Sequence, residues 1–287
     1  MLPFVLRRLR YRAHRSRLQV PLIWLRHRGL DSSDVFLASY PRSGQHWTRF
    51  LLMECLTGMA TDFENVERVI PKVGMQLIGP ALVPGGGRII QTHESWRKEY
   101  RRAIYLVRDV RDVLLSDFAF EEAQNNIKYY DVPDFDAFVL PWLKGKVQAM
   151  GTWQAHVNSW LDSPLEKNGN MIVIKYEQMR ANPTAELARM LEFLGVRPGP
   201  DVVEKAVVNN TLEKMRAKED KTAKFQVFHR TSSEDHRFIR KGAVGGWHGK
   251  LTPSQIDCIR QYAGDALARL GYEVETPAKQ GQTLSTP

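Results

Sequence analysis

The chain has 287 residues, 43% of them hydrophobic, which suffices to bury a sizeable core in one large domain or two small ones and excludes wholesale disorder. Two cysteines, Cys55 and Cys258, make no disulfide framework, which suits a reducing, cytoplasmic setting, and no C-x-x-C or H-E-x-x-H pattern suggests zinc. The net charge of +9 sits at one end: residues 1–30 hold eight of the 41 Lys+Arg and none of the 32 Asp+Glu, so the remainder, with 33 cations against 32 anions, is near neutral and gives no reason to expect specific nucleic-acid binding.

This basic N-terminal arm, 1–30, also carries apolar residues: Leu2, Phe4, Val5, Leu6, Leu9 and the Leu18–Leu25 stretch. That stretch is far short of the roughly 20 residues needed to cross a bilayer. It follows the arginines and lacks a small-residue cleavage site, unlike a secretory signal, and the segment is poor in serine, unlike a transit peptide. Two readings stay open. One is a solvated basic helix packed on the domain. The other is a segment drawn to an anionic membrane surface or a polyanion, which would make the protein peripheral to a membrane.

Beyond the arm, Val35–Ser39 (VFLAS) is expected as a buried strand and His46–Leu56 as the helix after a tight turn. Pro71–Gly87 is rich in Pro and Gly and is expected as a loop. Arg88–Thr92 and Ala103–Val107 follow as short strands, and Asp109–Phe120 as a helix with Val113, Leu114, Ala119 and Phe120 on a helical period. Phe135–Leu161 is expected as one or two helices. Its aromatics, with Tyr129 and Tyr130 just before it, have helical spacing and are assigned mainly to the core, with the lining of a substrate pocket as the lesser reading. Met171–Lys175 is a fourth strand, followed by helices over Thr184–Leu194 and Val202–Ala217 and an irregular, Gly-punctuated stretch over Thr222–Gly249. A last helix over Pro253–Leu270 has Thr252 as its N-cap. Strands alternating with helices indicate an α/β fold, a central parallel sheet with helices on both faces, over residues 31–275, with 276–287 as a frayed tail. Ligands of such sheets bind beyond the carboxyl ends of the strands, where Tyr40–His46, His93 and Arg108 fall.

Three segments there suit an anion. Tyr40-Pro-Arg-Ser-Gly-Gln-His-Trp47 is a strand–turn–helix junction offering the guanidinium of Arg42, the hydroxyl of Ser43, close backbone approach at Gly44 and a helix N-terminus. It lacks the Walker G-x-x-x-x-G-K-[ST] pattern. Arg108 and Ser116 stand eight residues apart in the second segment, and can share one anion if the chain turns before the helix settles. Arg240-Lys-Gly-Ala-Val-Gly-Gly is the third, two cations beside glycines in what reads as a flexible flap.

Taken together, in order and spacing, the three resemble the sulfotransferases that use 3′-phosphoadenosine 5′-phosphosulfate (PAPS), whose segments read roughly Y-P-[KR]-S-G-x-x-W, an Arg and a Ser eight apart, and R-K-G-x-x-G. The resemblance covers about residues 34–270. It implies a three-layer sandwich like that of the P-loop NTPases, with PAPS as co-substrate, 3′-phosphoadenosine 5′-phosphate (PAP) as product, and no metal. It implies that Arg42, Ser43, Gly44, Gln45 and His46 hold the 5′-phosphosulfate, that Trp47 packs on adenine with Tyr176 nearby, and that Arg108 and Ser116, joined by Arg240, Lys241 and Gly242, take the 3′-phosphate. Thr211 stands at the family's small hydroxyl position, and Leu212 replaces the usual aromatic. Arg42 stands where many members have lysine and would stabilise charge rather than donate a proton. In Gln91-Thr-His93-Glu, His93 matches the family's basic histidine and Gln91 replaces its lysine; Glu94 is the alternative base. The implied reaction is in-line transfer of a sulfuryl group to the hydroxyl of an alcohol, sugar, phenol or lipid. Two competing readings are a nucleotide kinase or NTPase of related fold, against which the missing Walker pair argues, and a non-enzymatic polyanion or membrane binder acting through the arm.

Overall fold

The computed structural model describes residues 19–124, 126–127, 132–223, 225 and 237–274. Residues 1–18 of the arm, Tyr129, Tyr130 and the expected tail from 276 lie outside the described residues.

Four strands, β1 (Val35–Ser39), β2 (Ile89–Thr92), β3 (Ala103–Val107) and β4 (Met171–Lys175), form one parallel sheet in the order β2-β1-β3-β4. Three of them have the bounds their apolar runs indicate, and β2 starts one residue later than expected. The strands are mostly apolar because both faces of the sheet are covered, with polar residues at the carboxyl ends of β1, β2 and β4. The pleat sends alternate side chains to opposite faces. Phe36 and Ala38 pack with Ile90, Tyr105 and Val107 on one face; Val35 and Leu37 pack with Ile89, Ile104 and Leu106 on the other.

The helices are α1 (Gln19–Arg26), α2 (Gln45–Thr57), α3 (Asn65–Val69), α4 (Val110–Ala123), α5 (Phe135–Leu143), α6 (Trp153–Leu161), α7 (Tyr176–Ala181), α8 (Pro183–Leu194), α9 (Pro200–Asn209), α10 (Leu212–Asp220) and α11 (Pro253–Arg269). Side chains from α4, α5, α6 and α11 cover the first face; α2, α3, α8, α9 and α10 cover the second. The expected three layers are thus present. Phe138, Trp142, Trp153 and Trp160 are fully buried, so these aromatics are core. Trp160 stacks between Tyr100 and Tyr105, at centroid distances of 5.8 and 5.4 Å. The last helix opens with a complete capping box, Thr252 and Gln255 bonding reciprocally to each other's backbone.

One expected helix, Val202–Ala217, is two. Asn210 Nδ2 bonds back to Ala206 O and to Glu54 Oε2, each at 2.8 Å. Thr211 then caps α10 by accepting from Lys214 N. Side chains that bond to local backbone in this way interrupt a helix that apolar spacing alone would continue.

The segment after α1 is packed on the domain. Gln76 Nε2 donates to Arg26 O and Arg28 O at 2.7 and 2.8 Å, a His27 ring nitrogen meets Tyr100 Oη at 2.7 Å, and Arg26 pairs with Glu94 at 2.7 Å. Beyond the carboxyl ends of the strands stand Tyr40–Gly44 after β1, His93 after β2, Arg108 after β3 and Tyr176 after β4.

Candidate active site

A cavity of about 330 Å³ opens at this edge, lined by Arg42, Gly44, His46, His93, Arg108 and Arg240 among others. Its floor is the turn between β1 and α2. Arg42 has φ of 68°, a left-handed conformation that is costly for a residue with a Cβ, and Gly44, the N-cap of α2, has φ of 90°. A Cβ on Gly44 would stand 2.6 Å from the Tyr176 ring, so only glycine fits. The result is a helix N-terminus whose first residues line the cavity, an arrangement that suits an anion.

Three cations converge on it. Arg42 Nε donates to Ser116 Oγ at 3.2 Å, and its guanidinium lies 4.5 Å over the Phe120 ring. Burial lowers the Arg42 pKa to about 10, with the charge of Asp117 opposing, so it remains a cation at neutral pH. Arg108 donates to Arg42 O at 3.1 Å and Ala243 O at 2.9 Å and stacks 4.4 Å over Tyr176. Arg108 Nε and the nearby Ser43 Oγ are buried with no hydrogen-bond partner among the described residues. A buried polar group left so costs about 1–3 kcal/mol, which an oxyanion beside them would relieve. Ser116 and Arg108 line the same cavity, the chain turning once at Asp109 before α4 begins. Asp109 and Arg111 are a buried pair, with Arg111 3.9 Å over Trp247.

The segment expected as a flexible flap is tied down. Tyr176 Oη donates to Gly242 O at 3.0 Å, Gly245 N donates to Asp112 Oδ2 at 2.9 Å, and Arg240 donates to Leu115 O at 3.3 Å. Gly242 has φ of 59°, and a Cβ there would meet the Tyr176 hydroxyl at 2.9 Å.

His93 Nδ1 stands 2.8 Å from Ser39 O. A carbonyl only accepts, so Nδ1 carries the proton and Nε2 keeps its lone pair. Burial lowers the His93 pKa to about 4, with the Ser39 hydrogen bond opposing, so the ring is neutral at physiological pH. Glu94 is engaged elsewhere: Arg26 pairs with it, Tyr100 Oη donates to it at 3.0 Å and His27 stands 3.4 Å away. Burial alone would raise its pKa, but the His27 hydrogen bond and the Arg26 charge outweigh that and hold it at about 2. A carboxylate so stabilised is a poor base.

Other expected site residues lie differently. The Gln45 amide is turned onto the sheet: its Nε2 donates to Leu37 O and Thr92 O, and its Oε1 accepts from Gln91 Nε2. Gln45 therefore has only its backbone to offer an anion. The pair also absorbs Gln91, which stands in place of a cation. His46 packs edge-on against Phe238, and burial, then Arg49, depress its pKa well below the usual imidazole range. Trp47 and Tyr176 meet edge to face at 6.4 Å. Thr211 is exposed and caps α10, and Lys241 is exposed; neither lines the cavity, whereas Asn210 and Leu212 do. Sequence reasoning missed Arg180, whose guanidinium lies 5.6 Å from the Trp47 ring, and Phe120 as a platform for Arg42. Each sits four residues after an expected site residue, Tyr176 and Ser116, and helical periodicity alone could have found both.

A family model described as the sulfotransferase domain matches residues 32–271. Mouse sulfotransferase 1A1 is 27% identical over 243 residues, which cover 78% of this chain and 81% of that protein. Among solved structures, mouse sulfotransferase SULT7A1 complexed with PAP aligns with a TM-score of 0.60 at 24% identity, covering 83% of this chain and 85% of that one. Retinol dehydratase, in complex with androsterone and PAP, aligns with a TM-score of 0.63 at 20% identity, covering 86% and 84%. These two likenesses establish the fold. With the domain matched over most of its length, the chain belongs to the sulfotransferase family and is a sulfuryl-transferring enzyme.

Proposed function

We propose that this cavity binds PAPS and that the enzyme passes its sulfuryl group to the hydroxyl of a small-molecule acceptor, with His93 as general base. The observation that carries the reading is the convergence of Arg42, Arg108 and Arg240 on one cavity that also contains a neutral, correctly protonated His93. Buried, unpartnered Arg108 Nε and Ser43 Oγ fit a ligand rich in oxyanions. Ser43, Gly44 and the first amides of α2 would hold the 5′-phosphosulfate. Trp47 and Tyr176 would flank the adenine. Arg108, Ser116, Arg240 and Gly242 would hold the 3′-phosphate, with Lys241 at the rim.

PAPS supplies an activated sulfuryl group. His93 Nε2 accepts the proton of the attacking hydroxyl, so the acceptor oxygen gains electron density as it approaches sulfur in line with the departing phosphate. Arg42 stays charged throughout and offsets the negative charge left on that phosphate. The acceptor is an alcohol, phenol, sugar or lipid hydroxyl. The arginine-rich residues 1–30 add a second role, holding the enzyme at an anionic membrane surface.

Incubation with ³⁵S-labelled PAPS, excess chelator and a pool of alcohols, phenols, sugars and hydroxylated lipids tests the reading. Transfer of label to a hydroxyl compound with release of PAP is expected without Mg²⁺. No transfer to any hydroxyl, together with Mg²⁺-dependent release of phosphate from ATP, would contradict it and favour the NTPase reading.

A further inference from the structure

Nine large apolar side chains are well exposed among the described residues, and five of them gather at one place: Trp24 and Leu25 on α1, and Met75, Leu77 and Ile78 in the loop before β2. Trp24 is 69% exposed and Leu77 70%. The two segments are clasped together. Gln76 bridges them through Arg26 O and Arg28 O, Arg26 also donates to Val73 O at 3.4 Å, and a Cβ on Gly29 would touch the Leu77 side chain at 2.5 Å. The five side chains therefore belong to one edge of the protein, on rigidly joined backbone.

We propose that this edge is a docking face for an anionic lipid bilayer, with Trp24, Leu25, Met75, Leu77 and Ile78 entering the headgroup region. The inference rests on the reading that the arm meets a membrane and names the surface that does so. Charge selects the occupant. In sequence, residues 1–18 precede α1 and carry six arginines and no acidic residue, and exposed Arg28 follows the helix, so the stretches of chain that flank α1 are rich in cations. An anionic surface attracts such segments by about 1 kcal/mol per Lys or Arg close to it. Tryptophan and aliphatic side chains beside arginines are the composition that settles at the headgroup level rather than across the bilayer. No described helix is long and apolar enough to cross a membrane. Arg26, between Leu25 and His27, pairs with Glu94, the neighbour of His93.

Co-sedimentation of the full chain with phosphatidylcholine vesicles, with and without phosphatidylserine, tests this at low and high salt. Wild type is expected to partition at least about tenfold better onto the anionic vesicles, and less so as salt screens the arginines. The double variant Trp24→Glu/Leu77→Glu should lose about tenfold or more of that binding, while Leu140→Glu/Val208→Glu, with exposed apolar positions elsewhere, should bind as wild type does. Melting temperature and PAP affinity check that both variants are folded. Those same PAP titrations judge the donor site separately, so a failed donor reading and a failed docking face give different results. Unchanged vesicle binding by Trp24→Glu/Leu77→Glu would overturn the proposal and leave the arginines acting alone. Absence of vesicle binding by wild type would also overturn it. In that case light scattering assigns the face to a second copy if wild type is a dimer that the double variant splits, and to residues 1–18 if both are monomers.

Discussion

The walls of the cavity formed after β1 and β3 differ in kind from the wall formed after β2. On the first, Arg42, Arg108 and Arg240 gather around a helix N-terminus, and Arg108 Nε and Ser43 Oγ are buried without partners. On the second, the one carboxylate beside the base is already matched by Arg26, His27 and Tyr100, and Gln91 is spent on Gln45. A buried donor atom left open suits an anionic ligand, and a carboxylate already matched holds the local geometry. Under the proposed function, the first wall takes the phosphates of the donor and the second contributes His93.

Four changes break or sharpen that contrast. His93→Ala removes the proposed base and should lower kcat about 10²–10⁴-fold while PAP affinity is unchanged. Retained turnover would return the base role to Glu94. Arg108→Ala strikes the donor side. Losing a charged, partly unpaired donor worth about 3 kcal/mol should weaken PAP roughly a hundredfold in a binding titration. Arg26→Ala leaves Glu94 short of its charge partner and should lower stability by about 1–3 kcal/mol at pH 7, read by denaturant unfolding, with PAP affinity intact. The Glu94 pKa is depressed in the folded state, so its contribution to stability is present above the ordinary carboxylate value of 4.5 and is lost as pH falls toward about 2. The Arg26→Ala deficit should shrink over that range. Thr211→Ala should cost only about 1 kcal/mol, as loss of a helix cap, and leave PAP affinity unaltered. A weakened donor site would instead put Thr211 back among its ligands.

The pH profile separates the walls again. With a folded pKa of about 4, His93 is neutral and able to accept a proton down to mildly acidic pH, and it is lost as a base only as pH falls through about 4. The acid limb of kcat/KM is expected there rather than near 6.5.

The sheet and the donor wall were legible because both are local in sequence. Short runs of mostly apolar residues name a strand, and Tyr40–Trp47 carries its turn, its cation and its helix start in one stretch. What stayed hidden depends on contacts between distant segments. That Glu94 is unavailable as a base follows from Arg26 and His27, far earlier in the chain. The Gln45 amide faces the sheet because Gln91 and two strand carbonyls hold it there. Asn210 breaks a helix because Glu54 and Ala206 draw its side chain inward, and Thr211 caps the helix that follows. The five apolar side chains of the docking face come from two segments that read separately as a basic arm and a Pro/Gly loop.

The most direct test of the donor wall is calorimetric titration of PAP into the wild-type protein without Mg²⁺, with His93→Ala and Arg108→Ala in parallel. Tight binding shared by wild type and His93→Ala but lost in Arg108→Ala is the expected result. Absence of binding in folded wild type, or equal binding by all three proteins, would contradict a donor site built on these arginines.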